Sequence, residues 1–287
     1  MKKTTRFKQL IEAPEILVMP AIHDTLSAVL IEKAGFAAAA VGGYSTTATL
    51  LGKPDMSWLT QTEMADQVAR VADAVSIPIL ADGDTGHGGF LNVQRTVKLM
   101  ERAGAGAIFI EDQLFPKRCG HMEGKQVIPA EEMVGKIKAA LDARIDPDFM
   151  ITARTDALAT HGLDEALRRA ALYREAGADM IFVEAPTTVE QMRRITREID
   201  APTMANNVDG GKTPLLSAGE LEEIGYATVA FAVSCTYAVT HALQRMLKIL
   251  KETGTTEGFH DQMLDFETFN ELMGLSELRK KEAGYSE

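Results

Sequence analysis

Eight short apolar runs recur along the chain, at 16–22, 37–43, 77–83, 107–112, 149–155, 180–185, 202–207 and 228–233. Each is continuous rather than alternating, the pattern of a strand buried on both faces of a parallel sheet. Helical patterns fill the gaps. Residues 92–103 repeat apolar side chains at Val93, Val97 and Met100. Residues 164–176 set Leu167, Ala170 and Ala171 on one face, with Arg168, Arg169 and Glu175 elsewhere. A glycine closes several of these helices just before the next run, at Gly35, Gly104, Gly177 and Gly225. Glycine adopts the left-handed conformation that stops a helix.

Eight strands alternating with helices fit a (β/α)₈ barrel of ordinary size, a TIM barrel in the α/β class. An open doubly wound sheet is the alternative. The barrel is favoured because polar residues leave the ends of most runs, and no glycine-rich dinucleotide fingerprint follows the first. After the last run, 237–252 reads as the eighth helix and 266–282 as one added C-terminal helix. No linker or low-complexity stretch interrupts the 287 residues, so 1–287 reads as a single barrel domain with a helical extension at about 255–287.

A net charge of −11 gives no electrostatic support for nucleic acid or an anionic membrane as partner. No stretch is long and apolar enough to span a bilayer. Two cysteines, Cys119 and Cys235, make no disulfide framework, and no signal-peptide apolar region follows the basic N-terminus. The expectation is a cytoplasmic protein acting on a small molecule.

In a barrel the active site lies at the C-terminal ends of the strands. Those ends carry Gly42-Gly43-Tyr44-Ser45, Asp82-Gly83-Asp84, Glu111-Asp112, Arg154, Glu184 and Asn206-Asn207. Asp82, Asp84 and Glu111 suggest a hard cation: Mg²⁺ prefers oxygen ligands, keeps several waters and needs one or two direct carboxylates. The segment after the fourth run, 115–129, is longer than most barrel loops and has the length of a lid. Within it Cys119 has Lys117, Arg118 and His121 as neighbours, a setting expected to lower a thiol pKa. Arg154 suits a bidentate carboxylate pair or a structural ion pair with Glu184, and the two are compatible. Cys235 reads as packing, and Asp24 beside His23 as a helix cap.

The motifs Gly42-Gly43-Tyr44-Ser45, Leu51-Gly52-Lys53-Pro54-Asp55, Asp82-Gly83-Asp84-Thr85-Gly86, Glu111-Asp112 and Lys117-Arg118-Cys119-Gly120-His121 resemble those of the isocitrate lyase and phosphoenolpyruvate mutase superfamily. Asp146-Pro147-Asp148-Phe149 and Ala153-Arg154-Thr155-Asp156-Ala157 extend the resemblance to residues 5–285 or so. It implies a (β/α)₈ barrel, a homotetramer that exchanges C-terminal helices, and Mg²⁺ as cofactor with Mn²⁺ as alternative. It implies that Asp82 binds the metal directly and that Asp55, Asp84 and Glu111 act mostly through its waters. Gly42, Gly43, Tyr44, Ser45, Gly120, Arg154, Glu184, Asn206 and Ser234 would hold a di- or tricarboxylate substrate. Cys119, oriented by His121 and Glu184, would be the general acid of a carbon–carbon cleavage, and Tyr44 the candidate base.

Within the superfamily, Phe266 stands where methylisocitrate lyases carry an arginine for a third carboxylate. Pro186 departs from the serine of oxaloacetate hydrolases. The resemblance therefore implies a 2-alkylmalate such as 2,3-dimethylmalate, split to pyruvate and propionate. 2-Methylisocitrate, giving succinate and pyruvate, and oxaloacetate hydrolysis are the alternatives.

Overall fold

In the computed structural model, which describes residues 1–285, the eight apolar runs become eight parallel strands. They are β1 (Leu17–Ile22), β2 (Ala39–Val41), β3 (Ile79–Asp82), β4 (Ala107–Glu111), β5 (Met150–Thr155), β6 (Met180–Val183), β7 (Thr203–Asn207) and β8 (Thr228–Phe231). They pair in chain order, and β8 closes on β1. The chain is a (β/α)₈ barrel. Each strand lies within its apolar run; β2 stops at Val41 because Gly42 already caps the next helix.

The helices through the fourth strand's return are α1 (Lys3–Glu12), α2 (Thr25–Lys33), α3 (Gly43–Leu51), α4 (Gln61–Ala74), α5 (Phe90–Arg102) and α6 (Ala130–Ala143). After β5 come α7 (Ala157–His161), α8 (Leu163–Glu175), α9 (Val189–Glu198) and α10 (Ala218–Ile224). The last are α11 (Ser234–Thr253), α12 (Phe266–Leu272) and α13 (Leu275–Ala283). Asp24 caps α2, its side chain accepting from the Ser27 N–H at 2.7 Å. Gly35, Gly104, Gly177 and Gly225 all follow helices with φ between 87° and 106°, the left-handed stop.

Strand alternation divides the core in two. Outward side chains such as Val41, Ile79, Ile110, Ile151, Ile181 and Val229 pack against the helices, where Val93, Val97 and Met100 of α5 are fully buried. Inward side chains, among them Met19, Leu80, Phe109, Met150, Phe182 and Met204, fill the barrel. Phe7 and Ile11 of α1 join that inner cluster.

Two expectations need correcting. The buried face of α8 is Ala166, Arg169, Ala170 and Tyr173. Arg169 turns inward because Asp112, fully buried, accepts from its guanidinium at 3.0 Å. The C-terminal segment 266–282 is two short helices, α12 and α13, because Gly274 between them is left-handed with φ 79°.

The chain divides into two compact units, Met1–Thr236 and Tyr237–Glu287. The first holds the barrel. In the second, Phe259 is buried, with the Arg245 guanidinium 5.7 Å from its ring centre. Phe266 at the start of α12 is 87% exposed. Leu243, Leu247 and Leu250 form an exposed stripe one and two turns apart on α11.

Candidate active site

Inward alternation along β3, β4 and β5 brings Asp82, Glu111 and Arg154 to the C-terminal end of the barrel, and β6 and β7 add Glu184 and Asn206. The registry pairs Glu111 with Arg154. Above them the β4–α6 loop folds across the mouth. With the start of α3, these parts enclose a cavity of about 90 Å³ bordered by Gly42, Gly43, Tyr44, Asp82, Cys119 and Arg154.

On one side stand Asp55, Asp82 and Asp84, all buried. Asp82 accepts the Gly43 N–H and the Asp84 N–H, each at 2.8 Å. A Cβ on Gly43 would sit 3.2 Å from Asp82 Oδ2 and 3.3 Å from Lys117 Nζ, so this position needs the smallest residue. Lys117 reaches between the carboxylates, 2.9 Å from Asp55 and 2.8 Å from Asp84. Burial works against its charge, but Asp84 and Asp55 outweigh it and raise its pKa well above the usual range.

On the other side Arg154 is clamped by three carboxylates. It meets Asp156 through two bonds of 2.9 and 3.1 Å, and Glu111 and Glu184 at 3.1 Å each. Lys125 pairs with Asp156 at 3.0 Å and donates to the Gly120 carbonyl, which ties the loop to the barrel. Asn206 donates to both Glu184 oxygens at 3.3 Å. His121 Nε2 is 3.3 Å from Glu184 Oε1, while its Nδ1 accepts the Lys212 N–H at 2.9 Å. That bond places the imidazole proton on Nε2, facing Glu184. Burial alone would raise Glu184; Arg154 and His121 outweigh it and hold the carboxyl at about 2. Gly120 has no room for a side chain, since a Cβ would lie 2.3 Å from Glu184 Cγ.

Cys119 differs from its sequence reading. Burial pushes its thiol up, Glu184 and Asp55 add to the rise, and the His121 N–H and Arg154 only oppose it. The basic neighbours do not face it: Lys117 turns to the carboxylates, and Arg118 donates to the Glu123 carbonyl at the surface. Cys119 is a neutral thiol at the mouth of the cavity, suited to giving a proton.

Ser45 and Ser234 do not border the cavity. The Ser45 hydroxyl accepts from Thr236 at 2.7 Å and donates to the Ala232 carbonyl; Ser234 donates to Asp209 at 2.5 Å. Glu111 lies behind Arg154, and Asp84 is reached through Lys117. Cys235 packs against the core. Sequence reasoning missed the parts played by Lys125, Asp156 and Lys212, because a lysine's pairing partner leaves no trace in spacing.

The donor set fits a divalent cation. At this end of the barrel Asp55, Asp82, Asp84, Glu111, Asp112, Asp156 and Glu184 are seven buried carboxylates against five buried cations, Lys117, Lys125, Lys136, Arg154 and Arg169. Arg154 lies 3.1 Å from Glu111 Oε2 but out of line for a hydrogen bond, and burial raises the Glu111 pKa well above the usual carboxylate range despite Arg154 and Lys117. Burial and Asp84 likewise raise Asp82. Such a cup cannot take an anion without added positive charge, and its oxygens suit Mg²⁺. Among the described residues no three carboxylate, imidazole or thiol groups form a ready-made metal cage.

A barrel with an acidic cup, a clamped arginine and a neutral loop thiol belongs to the enzymes that make and break bonds beside a carboxylate. The chain matches the model of the phosphoenolpyruvate phosphomutase family over residues 7–251 and belongs to that family, within the isocitrate lyase superfamily. It is a carbon–carbon lyase of this superfamily. A 2,3-dimethylmalate lyase of Eubacterium barkeri is 45% identical, the match covering 100% of this chain and 99% of that one. A 2-methylisocitrate lyase of Aeropyrum pernix is 40% identical over 97% and 90%. A structure of phosphonopyruvate hydrolase with oxalate and Mg²⁺ superposes with a TM-score of 0.91 at 29% identity, covering 100% of each chain. Among the described residues no helix is long and apolar enough to cross a membrane.

Proposed function

We propose that this protein cleaves the C2–C3 bond of a 2-alkylmalate such as 2,3-dimethylmalate, releasing pyruvate and propionate, with Cys119 as general acid. The observation that carries the reading is the neutral Cys119 thiol beside the Arg154–Glu184–His121 cluster. Similarity to the dimethylmalate lyase supports the substrate. A divalent cation, Mg²⁺ or Mn²⁺, would be held by Asp82, with Asp55, Asp84 and Glu111 reaching it through water. When bound, it supplies the positive charge that draws a 2-hydroxy carboxylate into the cup.

The residues divide the work by charge. Arg154, with Gly42 and Gly43 beside it on the cavity lining, holds the substrate carboxylate. Tyr44, which borders the cavity, is the candidate to take the hydroxyl proton. As the C2–oxygen bond becomes double, the C2–C3 electron pair leaves on C3 as an enolate, a strong base. Cys119 gives its proton to C3, and the product departs as a carboxylate. Glu184, held by Asn206, pairs with His121 and so anchors the loop that carries the thiol over the cavity.

The relatives that act on 2-methylisocitrate support a second reading, in which the leaving half is succinate. Phe266 in place of a cation weighs against it. The exposed apolar stripe on α11 and the exposed Phe266 support a homotetramer that exchanges C-terminal helices. The test is pyruvate release with Mg²⁺ from equal concentrations of the two substrates, repeated with a chelator. Faster, chelator-sensitive release from dimethylmalate supports the proposal. Faster release from methylisocitrate replaces it with the second reading, and pyruvate from neither sinks both.

A further inference from the structure

Below its polar rim the cavity has two unlike walls. On β4, β6 and β7 the wall is Phe109, Phe182 and Met204. The two rings meet edge to face at 6.0 Å, and the Arg154 guanidinium lies 5.2 Å from the centre of Phe182. That wall is bulky and pinned. On β8, β1 and β2 it is Ala230, Ala21 and Ala40. These strands are neighbours through the closure of the barrel, and the register sets Ala21 directly beside Ala40. Three small residues facing three large ones give the cavity its depth on the alanine side.

The alanine wall offers nothing to a polar group. A hydroxyl or carboxylate pressed there would lose its hydrogen bonds, whereas an alkyl group would gain by leaving water. Asp82, Lys117, Arg154 and Glu184 border the cavity on other strands and on the loop, and Asn206, the strand neighbour of Ala230, turns its amide to Glu184. A carbinol carbon has four substituents. Its oxygen and carboxylate need the rim, and the carbon that receives the proton must face Cys119. One direction is left, and one apolar wall with room.

We propose that Ala40 and Ala230 are specificity-determining residues that receive the alkyl substituent on the carbinol carbon and limit its size. This rests on the 2-hydroxy-acid reading above. A larger side chain at either position extends into the cavity and takes the volume of the substituent. One methylene in an apolar pocket discriminates by roughly 10-fold or more.

The experiment uses the full-length protein with Mg²⁺ and three 2-oxo acids, pyruvate, 2-oxobutyrate and 2-oxopentanoate, which differ only in that substituent. Calorimetric dissociation constants are compared for the wild type, Ala40→Val, Ala230→Val and Met204→Leu. The expected result is that each valine variant weakens 2-oxobutyrate at least roughly 10-fold more than pyruvate. Met204→Leu, a volume-conserving change on β7 beside the alanine wall, should leave that ratio within about threefold. Ala230→Cys, larger than alanine but smaller than valine, should shift the ratio the same way by a smaller amount if a valine variant does not fold. Equal weakening of all three acids, or a shift in Met204→Leu as large as in the valine variants, overturns the assignment. If the wild type binds none of them, the 2-alkylmalate reading itself fails, and the wall assignment fails with it.

Discussion

At Cys119 two influences compete, the charge of its sequence neighbours and the loss of water around it, and burial wins. A thiol raised above its ordinary range stays protonated through neutral pH and loses its proton only as pH climbs through the raised value. If it is the general acid, kcat/KM for cleavage should hold level through neutral pH and fall only on the alkaline side, above the ordinary thiol range. Cys119→Ser should lower kcat by about 10²–10⁴-fold, the usual contribution of a positioned acid, while pyruvate still binds. A pH–rate profile and product binding by the variant check this; cleavage at the wild-type rate would remove Cys119 from the reaction. Glu184 runs the other way. Its carboxyl is held at about 2 by Arg154 and His121. Its contribution to stability is therefore complete above the unfolded carboxylate value of about 4.3 and is lost as pH falls from there towards 2. In Glu184→Gln, the part of the Tm decline between about pH 4.5 and 2 that belongs to this group should vanish. The type of each site residue could be read from the chain because strand ends announce themselves. The direction each side chain takes could not: Lys117 and Cys119 are two residues apart and both border the cavity, yet one is pinned between Asp55 and Asp84 and the other keeps a neutral thiol.

Among elements, α8 has the most to do with the site without touching it. Its Tyr173 hydroxyl and Arg169 guanidinium donate to Asp112 at 2.7 and 3.0 Å. Asp112 also accepts the Thr155 hydroxyl at 2.7 Å and the Asp156 N–H at 2.9 Å, so it fixes the backbone from which Asp156 grips Arg154. Tyr173→Phe removes one buried donor, a loss of about 1–2 kcal/mol. Tm should fall by a few degrees, with KM rising more than kcat drops, because Arg154 loosens while Cys119 stays in place. Steady-state kinetics beside a melting curve test it; an unchanged KM would confine α8 to stability. The loop after β7 is a second support. A Cβ on Gly211 would stand 2.6 Å from His121 Nδ1, so Gly211→Ala should lower kcat with little change in Tm, and the loss should disappear in a His121→Ala background. The eight strands were legible because both of their faces are buried, which makes them continuous apolar runs. Arg169 was not, since a long polar side chain on a helix reads as solvent-facing unless its buried partner is known. Nor was the break at Gly274, where one left-handed residue divides an otherwise helical stretch.

For the whole molecule the deciding quantity is charge held without water. The barrel's C-terminal end buries more carboxylates than cations, and Glu111 and Asp82 are both raised by that burial. The proposed divalent cation would offset that buried negative charge. A ligand that binds only the folded state at 100 times its dissociation constant stabilises by about 2.7 kcal/mol. In a chain of this size that raises Tm by roughly 5 °C. Mg²⁺ should do so, Mn²⁺ likewise, and a chelator should reverse it. Asp82→Asn separates this from general salt effects. Asn keeps only one acceptor for the Gly43 and Asp84 N–H groups, so the readout is the Mg²⁺ increment, most of which the variant should lose, and not the metal-free Tm. If Asp82→Asn leaves the Mg²⁺ response intact, the cation binds elsewhere.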